Sequence, residues 1–172
     1  EYSLGDDLFL NEIVFPTNSI GYAVGEFGTV LKTEDAGRSW SQMVTDLGEF
    51  YPLSAYFDSA DMGWIGGLDG AIFSTSDGGL TWQQDRTATD SPIYGISRVG
   101  AEVFAVGNSG VAPRYEREGW RSEQLELQTY GFLRAIAGDD RDLFVGGQAL
   151  AERIPLLPDR AALNPNQSAP AP

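Results

Sequence analysis

The sequence predicts an all-β fold, a β-propeller or partial propeller, with about four four-stranded blades that share a recurrent turn. The main observation is an internal repeat with a period near 40 residues. An aromatic residue and a glycine return with spacings of 42, 40 and 40 residues: Tyr22, Trp64, Phe104 and Phe144, and Gly25, Gly67, Gly107 and Gly147. One such unit cannot bury both of its faces, so we expect the units to stack around a shared axis.

Each repeat contains short apolar stretches separated by turn residues, which indicates strands rather than helices. The units span about residues 8–46, 50–86, 92–127 and 131–154. The predicted strands are Leu8–Phe15, Gly21–Gly25, Thr29–Thr33, Ser39–Val44, Leu53–Phe57, Gly63–Gly66, Ala71–Thr75, Thr81–Gln84, Ile93–Val99, Glu102–Val106, Val111–Tyr115, Trp120–Leu125, Phe132–Ala137, Asp142–Val145 and Ala149–Ile154. The fourth unit lacks an outer strand, and Glu1–Leu8 is a candidate to complete it, because pairing the two ends would remove exposed sheet edges.

The two ends of the chain leave the ring open to more than one arrangement. Residues 155–172 are rich in proline and alanine and are predicted to form an extended or disordered tail. Either four blades close by themselves, or the chain is part of a larger ring or one completed by another chain, which is the arrangement we favour. Because the first residue is Glu1 rather than methionine, the chain is expected to be a mature form or a fragment.

Composition and charge exclude several classes of function. The chain has 25 acidic and 11 basic residues, a net charge of −14, so nucleic acid is not an expected partner. Residues 1–90 carry 15 acids and 3 bases, and residues 91–172 carry 10 and 8, so the first half is strongly negative. The absence of cysteine and histidine argues against thiol, histidine and most zinc chemistry, and no cofactor or metal is expected. No apolar run is long enough to span a membrane.

Two segments share the pattern Ser/Thr-x-Asp-x-Gly-x-Ser/Thr-Trp, which we call the box. Its residues are Thr33, Asp35, Gly37, Ser39 and Trp40 in the first copy and Thr75, Asp77, Gly79, Thr81 and Trp82 in the second. The aspartate can accept amide hydrogen bonds of its own turn, and the glycine can adopt positive φ. The hydroxyls cap backbone groups, and the tryptophan anchors the hairpin by burying apolar surface. A third copy keeps Gly119 and Trp120.

The box resembles the Asp-box, or bacterial neuraminidase repeat, found between the third and fourth strands of propeller blades. The longer segments GYAVGEFGTVLKTEDAGRSW and GWIGGLDGAIFSTSDGGLTW resemble the photosystem II stability/assembly factor family. That resemblance implies an extracytoplasmic protein (periplasm, thylakoid lumen or secreted, with its signal peptide removed) from a family of seven-bladed propellers. It also implies a non-catalytic scaffold or stability factor that binds a larger protein complex, such as a membrane or photosynthetic complex. The chain departs from the family in having about four units and an acidic surface.

A cluster in the third unit is the candidate partner-binding site. It combines arginine with aromatic residues, which are enriched at protein interfaces: Arg114, Tyr115, Arg117, Trp120 and Arg121. The competing interpretation is pairing within the blade, with Glu116, Glu118 and Glu123.

A glycan-directed function is the alternative, either a sialidase-like glycoside hydrolase or a carbohydrate-binding propeller. Arg153 lies in an Arg-Ile-Pro segment that is similar to a sialidase motif, although it follows the boxes instead of preceding them. Asp35 and Asp77 are interpreted as turn formers, because carboxylates in equivalent turns of successive blades lie too far apart for a catalytic pair. No catalytic residue is therefore predicted.

Overall fold

The computed structural model describes residues 8–87, 89–116, 119–122, 125, 127 and 131–156. Within these ranges the chain forms four antiparallel sheets, which confirms the predicted all-β, propeller-type architecture. Three sheets have four strands and the fourth has three, and we call them blades 1 to 4 in chain order. Across the same ranges we find no helix with the length and apolar character needed to cross a membrane.

Consecutive strands pair as hairpins, so the order of strands in each sheet is their order in the chain. Blade 1 contains β1 (Leu10–Val14), β2 (Gly21–Gly25), β3 (Thr29–Thr33) and β4 (Ser41–Gln42), and blade 2 contains β5 (Pro52–Phe57), β6 (Gly63–Gly67), β7 (Ile72–Thr75) and β8 (Gln83–Asp85). Blade 3 contains β9 (Ile93–Val99), β10 (Glu102–Gly107), β11 (Arg114–Glu116) and β12 (Gly119–Arg121), and blade 4 contains β13 (Leu133–Gly138), β14 (Asp142–Gly147) and β15 (Leu150–Pro155).

The outer strands are shorter than the sequence suggested. β4 contains only Ser41 and Gln42. At its start, the Ser39 amide donates to the Asp35 carboxylate of its own turn, which removes Ser39 from the predicted strand. One-turn 3₁₀ helices at Leu68–Gly70 and Asn108–Gly110 lie between the second and third strands of blades 2 and 3. Residues 1–7, proposed to complete blade 4, and residues 157–172 of the predicted tail lie outside the described residues.

The blades stack face to face, with their first strands side by side. β1 packs beside β5, β5 beside β9, and β9 beside β13, so these strands form the inner edge of the stack. An apolar cluster fills each of the three gaps between blades. The buried residues are Tyr22, Val24, Val30, Leu47, Ala55, Phe57, Ile65 and Trp82 between blades 1 and 2; Trp64, Ile72, Ile93, Ile96, Val103, Ala105 and Trp120 between blades 2 and 3; and Val99, Phe104, Val106, Ala112, Leu133, Leu143 and Val145 between blades 3 and 4.

The repeated glycine has a steric cause. In every blade the first strand skips one residue of register near its start, which leaves Asn11, Leu53, Tyr94 and Arg134 unpaired. The residue before the strand then brings its carbonyl oxygen against the glycine that ends the second strand. A Cβ atom at Gly25, Gly67, Gly107 or Gly147 would lie closer than 3.0 Å to that oxygen. Any other residue would force the first and second strands apart at this point, so only glycine fits.

Candidate functional site

The predicted box residues close the turns between the third and fourth strands of blades 1 and 2. In blade 1 the Asp35 carboxylate accepts hydrogen bonds from the Ser39 amide (2.8 Å) and hydroxyl (2.6 Å). The Thr33 hydroxyl donates to Asp35 (2.9 Å) and accepts from the Gly37 amide (2.9 Å). The corresponding distances in blade 2, with Thr75, Asp77, Gly79 and Thr81 in the same roles, are 2.9, 2.6, 2.8 and 2.9 Å. Each aspartate is thus occupied within its own turn.

These contacts also set the acidity of the box aspartates. The Ser39 hydroxyl and amide lower the pKa of Asp35 from 3.8 to about 2, and those of Thr81 lower the pKa of Asp77 to about 2. A carboxyl group that serves as a general acid near neutral pH needs a raised pKa. The geometry therefore supports a turn-forming role for both aspartates.

Two described carboxyl groups have raised pKa values, and they lie on different parts of the stack. Burial raises the pKa of Glu12 on β1 and of Asp85 at the end of β8. β1 of blade 1 packs beside β5, the innermost strand of blade 2, and β8 is the outermost strand of that blade. The three strand spacings from β5 to β8, about 4.8 Å each, amount to roughly 14 Å. Paired carboxylates that cleave glycosides lie roughly 5–10 Å apart. Arg153, of the sialidase-like segment, pairs with Asp142 at 2.9 Å.

Two members of the predicted partner-binding cluster lie in the gap between blades 2 and 3. Trp120 is buried there, with its ring centroid 5.4 Å from Tyr115 and 6.4 Å from Trp64. Its indole N–H donates to Asp85 at 2.9 Å. These two aromatic side chains therefore contribute mainly to packing between the blades.

The two described arginines of the same cluster pair with carboxylates of their own blade. Arg114 pairs with Glu116 at 2.7 Å and with Glu102 at 3.4 Å. Arg121 is largely exposed and lies 3.5 Å from Glu116. Arg117 lies outside the described residues, so the structure brings four of the five predicted residues to one hairpin, with Arg121 the most accessible.

A surface that the sequence analysis did not single out lies at the opposite end of the blades, where the second and third strands are joined. Four apolar side chains are exposed there, which we call the turn-end patch: Phe9, Leu10, Phe27 and Leu68. The Glu26 amide donates to the Phe9 carbonyl, which joins the start of blade 1 to the turn that contains Phe27. Tyr51, from the chain entering blade 2, donates its hydroxyl to Glu26 and so brings blade 2 against the same turn.

Phe27 is the unusual residue of the patch. Its φ is 53°, in the left-handed region, and its side chain is 60% exposed. Equivalent turns have Asp69, Ser109 and Ala149 at this position, with φ of 56°, 54° and 55°. Left-handed backbone favours glycine, asparagine and aspartate, and a bulky side chain there costs free energy. A phenylalanine at this position is therefore unfavourable both for its backbone and for its exposed ring.

An acidic cleft adjoins the turn-end patch. Its volume is about 660 Å³, and it is formed by Asp69, Gly70 and Ala71 and by the end of β8 with the chain that follows it. Its charged lining residues are Asp69, Asp85, Arg86 and Asp90. Three carboxyl groups against one guanidinium make the cleft suitable for a basic side chain.

Comparisons with known proteins identify the fold. No protein-family model matches the sequence, and no curated protein does. Among solved structures, the WD40 β-propeller domain of Doa1 matches 86% of this chain and 55% of its own chain, with a TM-score of 0.59 and 16% sequence identity. The fold is that of a β-propeller.

Two further solved structures resemble this propeller. YCF48, a photosystem II assembly factor, bound to a D1 peptide matches 88% of the chain with a TM-score of 0.66 and 20% identity. An ancestral GH74 enzyme matches 84% of it with a TM-score of 0.67 and 12% identity. The propeller spans 56% of the YCF48 chain and 22% of the GH74 chain. Identities this low support the fold, and membership of the photosystem II stability/assembly factor family stays a prediction.

Proposed function

We propose that this propeller is a non-catalytic scaffold that holds a protein partner against the turn-end patch and the acidic cleft beside it. The partner segment would place an apolar side chain on Phe27 and Leu68 and a basic side chain in the cleft. Apolar anchors surrounded by complementary charge are typical of interfaces that form from two separately folded proteins. The observation that carries the proposal is Phe27.

Phe27 supports a binding role because its position is unfavourable in the isolated protein on two counts. A non-glycine residue in left-handed backbone costs roughly 1–2 kcal/mol. A ring that is 60% exposed gains little from burial in the free protein. All four blades have a left-handed residue in this turn, so the feature that distinguishes Phe27 is its bulky, exposed ring. A partner that covers the ring would recover the apolar burial that the free propeller lacks.

The charge distribution supports the same kind of partner. The sequence range 1–90, which contains the strands of blades 1 and 2, the patch and the residues that line the cleft, carries a net charge of −12 (3 bases minus 15 acids). Long-range attraction would raise the association rate of a basic segment and would weaken as salt is added. We therefore expect high ionic strength to lower the association rate constant more than it raises the dissociation rate constant.

The comparisons support a peptide-like partner, and we propose in addition that this partner belongs to a larger assembly. The YCF48 structure holds a D1 peptide, so a propeller of this fold can bind a segment of another protein. We extend the proposal to a site of action outside the cytoplasm, as the sequence resemblance implies. Fractionation of the native cells, with detection of the protein in the periplasmic, lumenal or secreted fraction, tests that part; recovery in the cytosol would contradict it.

The binding proposal is tested with immobilised wild-type protein and three variants, Phe27→Asn, Leu68→Asp and Val44→Asp. Val44 is 94% exposed outside the patch and the cleft, so Val44→Asp is the matched control. Proteins cross-linked to the wild type are identified, and the contacted segment is synthesised for calorimetry. We expect the two patch variants to bind that segment about tenfold or more weakly than the wild type, and the control to bind it with unchanged affinity. Equal affinity for all four proteins would contradict the proposal.

Glycan processing is the second candidate, and the observation that favours it is the likeness to the GH74 enzyme. A panel of fluorogenic glycosides, including a sialoside, measures hydrolysis, and Arg153→Ala tests the sialidase-like segment. Turnover that Arg153→Ala abolishes would replace the scaffold proposal with an enzyme. Binding on a glycan array without turnover would instead indicate a carbohydrate-binding propeller.

A further inference from the structure

Each blade has two different faces, and the aromatic residues of each face occupy repeat positions that recur from blade to blade. Between blades 1 and 2, Tyr22 stacks on Phe57 with the ring centroids 3.8 Å apart and the planes 3° from parallel. Trp82 meets the edge of Phe57 at 6.2 Å. Tyr22 belongs to the face that a blade turns toward the next blade, which we call the trailing face. Phe57 and Trp82 belong to the face turned toward the preceding blade, the leading face.

The leading face of blade 1 repeats that of blade 2, but no other blade of the described residues lies against it. Phe15 and Trp40 occupy the positions of Phe57 and Trp82 exactly one repeat earlier and make the same edge contact, at 6.0 Å. Phe15 is 47% exposed, Ile13 is also exposed, and Trp40 is half-buried, whereas Trp82 is buried. Ala23 and Leu31, which lie across the strands from Ile13, are buried, so the accessible part of this face is its aromatic end.

The trailing face of blade 4 is the counterpart. Phe144 occupies the repeat position of Tyr22, Trp64 and Phe104, which are buried against the next blade. Phe144 is 46% exposed. The residues paired with it on the two neighbouring strands, Ala137 and Arg153, are exposed as well. The two ends of the stack are therefore different, and each is one half of a contact that the chain already makes between its own blades.

We propose that two copies of this chain associate head to tail, with Phe144 of each copy stacked on Phe15 of the other, and close an eight-bladed ring. A two-fold axis along the centre of the ring makes the two new contacts identical, so both open faces of both copies are covered. Unlike faces generate a closed ring when the rotation between subunits fits, and eight blades lie within the range that propellers adopt. A second copy is the chosen occupant because it supplies both missing halves at once.

The first test is the mass of the full 172-residue chain in solution. Light scattering coupled to size-exclusion chromatography, over a dilution series, is expected to give twice the 18.6 kDa of one chain and to return to one chain at the lowest concentrations. A single-chain mass at every concentration would overturn the proposal, because it would mean that the faces are covered within one chain or not at all. Masses that grow without limit would also overturn it, since they indicate open polymers.

The second test asks which faces meet. Phe15→Lys and Phe144→Asp are each expected to raise the dimer dissociation constant about tenfold or more, because either one places a charge against an apolar ring. Mixing the two variants restores one wild-type contact and turns the other into a Lys–Asp pair, so a mixed dimer is expected. Val44→Asp is the control that leaves dimerisation unchanged.

The outcome of mixing is decisive even where one variant is poorly folded. Ile13→Lys, on the same leading face as Phe15, serves as the second variant, and far-UV circular dichroism shows which variants retain the wild-type fold. Failure of the mixture to dimerise, with both partners folded, would overturn the head-to-tail contact. Loss of dimer with the leading-face variants alone, and none with Phe144→Asp, would indicate like faces meeting and would overturn it equally.

Discussion

Blade 2 and blade 4 follow the same plan in different surroundings. Blade 2 has four strands, a box turn and a neighbour on each face, whereas the described residues of blade 4 form three strands and leave Phe144 exposed. Both retain the glycine beneath the first-strand bulge, Gly67 and Gly147, and the left-handed turn residue, Asp69 and Ala149. The backbone features therefore accompany the formation of any blade. The complete box does not, since blade 3 forms its outer strand β12 with only Gly119 and Trp120 of the box.

The largest expected difference between the two blades concerns the repeated aromatic residue. Trp64→Ala in blade 2 removes a buried ring between two blades and is expected to lower the free energy of unfolding by about 4 kcal/mol. Phe144→Ala in blade 4 is expected to cost less than about 1 kcal/mol in dilute protein. Urea unfolding measures both. Equal losses in dilute protein would show that the face of blade 4 is covered within one chain.

The bulge glycine is expected to be equally necessary in both blades. Gly67→Ala and Gly147→Ala each drive a Cβ atom into a backbone carbonyl and should cost about 2–3 kcal/mol. Gly146→Ala is the matched control, because its Cβ would meet Ala135 at an ordinary 3.5 Å. A small loss for Gly147→Ala, measured by the same unfolding experiment, would mean that blade 4 does not share the bulge of blade 2.

At the left-handed turn position, substitution is expected to affect blade 4 more than blade 2, and to stabilise it. Ala149→Asn is expected to stabilise the protein by up to about 1 kcal/mol, because asparagine tolerates positive φ better than alanine. Asp69→Asn should be nearly neutral, since aspartate shares that tolerance. Thermal and urea unfolding of the two variants give the comparison. Destabilisation by Ala149→Asn would indicate that the alanine methyl group makes a contact that matters.

The smallest expected effect is the pH dependence of the stability of the box turn in blade 2. The sequence of blade 4 does not contain the box. Asp77 holds its proton less tightly in the folded chain, where its pKa is about 2, than in the unfolded chain, near 3.8. Its stabilising effect is therefore complete above pH 4 and is lost as the pH falls toward 2. Hydrogen-exchange protection of the Gly79 and Thr81 amides should decline over that interval, and Asp77→Asn should remove the dependence. Unchanged protection in the wild type would exclude the hydrogen bonds as its source.

The sequence predicted the parts of the fold that recur. Gly25 and its three equivalents must be glycine for a steric reason, and Tyr22 and its equivalents fill the gaps between blades, so both leave a periodic trace. The different exposures of Trp40 and Trp82 were not predictable in this way. The two tryptophans share the same motif, and their exposure depends on whether another blade packs against them. The short β4 also escaped prediction, since the box withdraws the Ser39 amide from the strand.

The candidate site was less accessible to sequence analysis. Local composition favours the blade 3 cluster as a binding site, whereas the spacing of Trp120 from Trp82 indicates a residue that packs between blades. The turn-end patch is assembled from separate turns, and exposure is not visible in a sequence. One signal was available: the turns GEFG and GLDG differ at their two central positions, and at the second of these Phe27 stands in place of an aspartate suited to positive φ.

The shared left-handed position has a consequence for redesign. One rim of the propeller presents four short turns whose second residue is a ring, a carboxylate, a hydroxyl or a methyl group: Phe27, Asp69, Ser109 and Ala149. Chemically unlike side chains are thus accommodated there while the strand ladders behind them stay the same. A combinatorial library that varies only these four positions would change the side chains available for binding and leave the residues that form the strands unchanged.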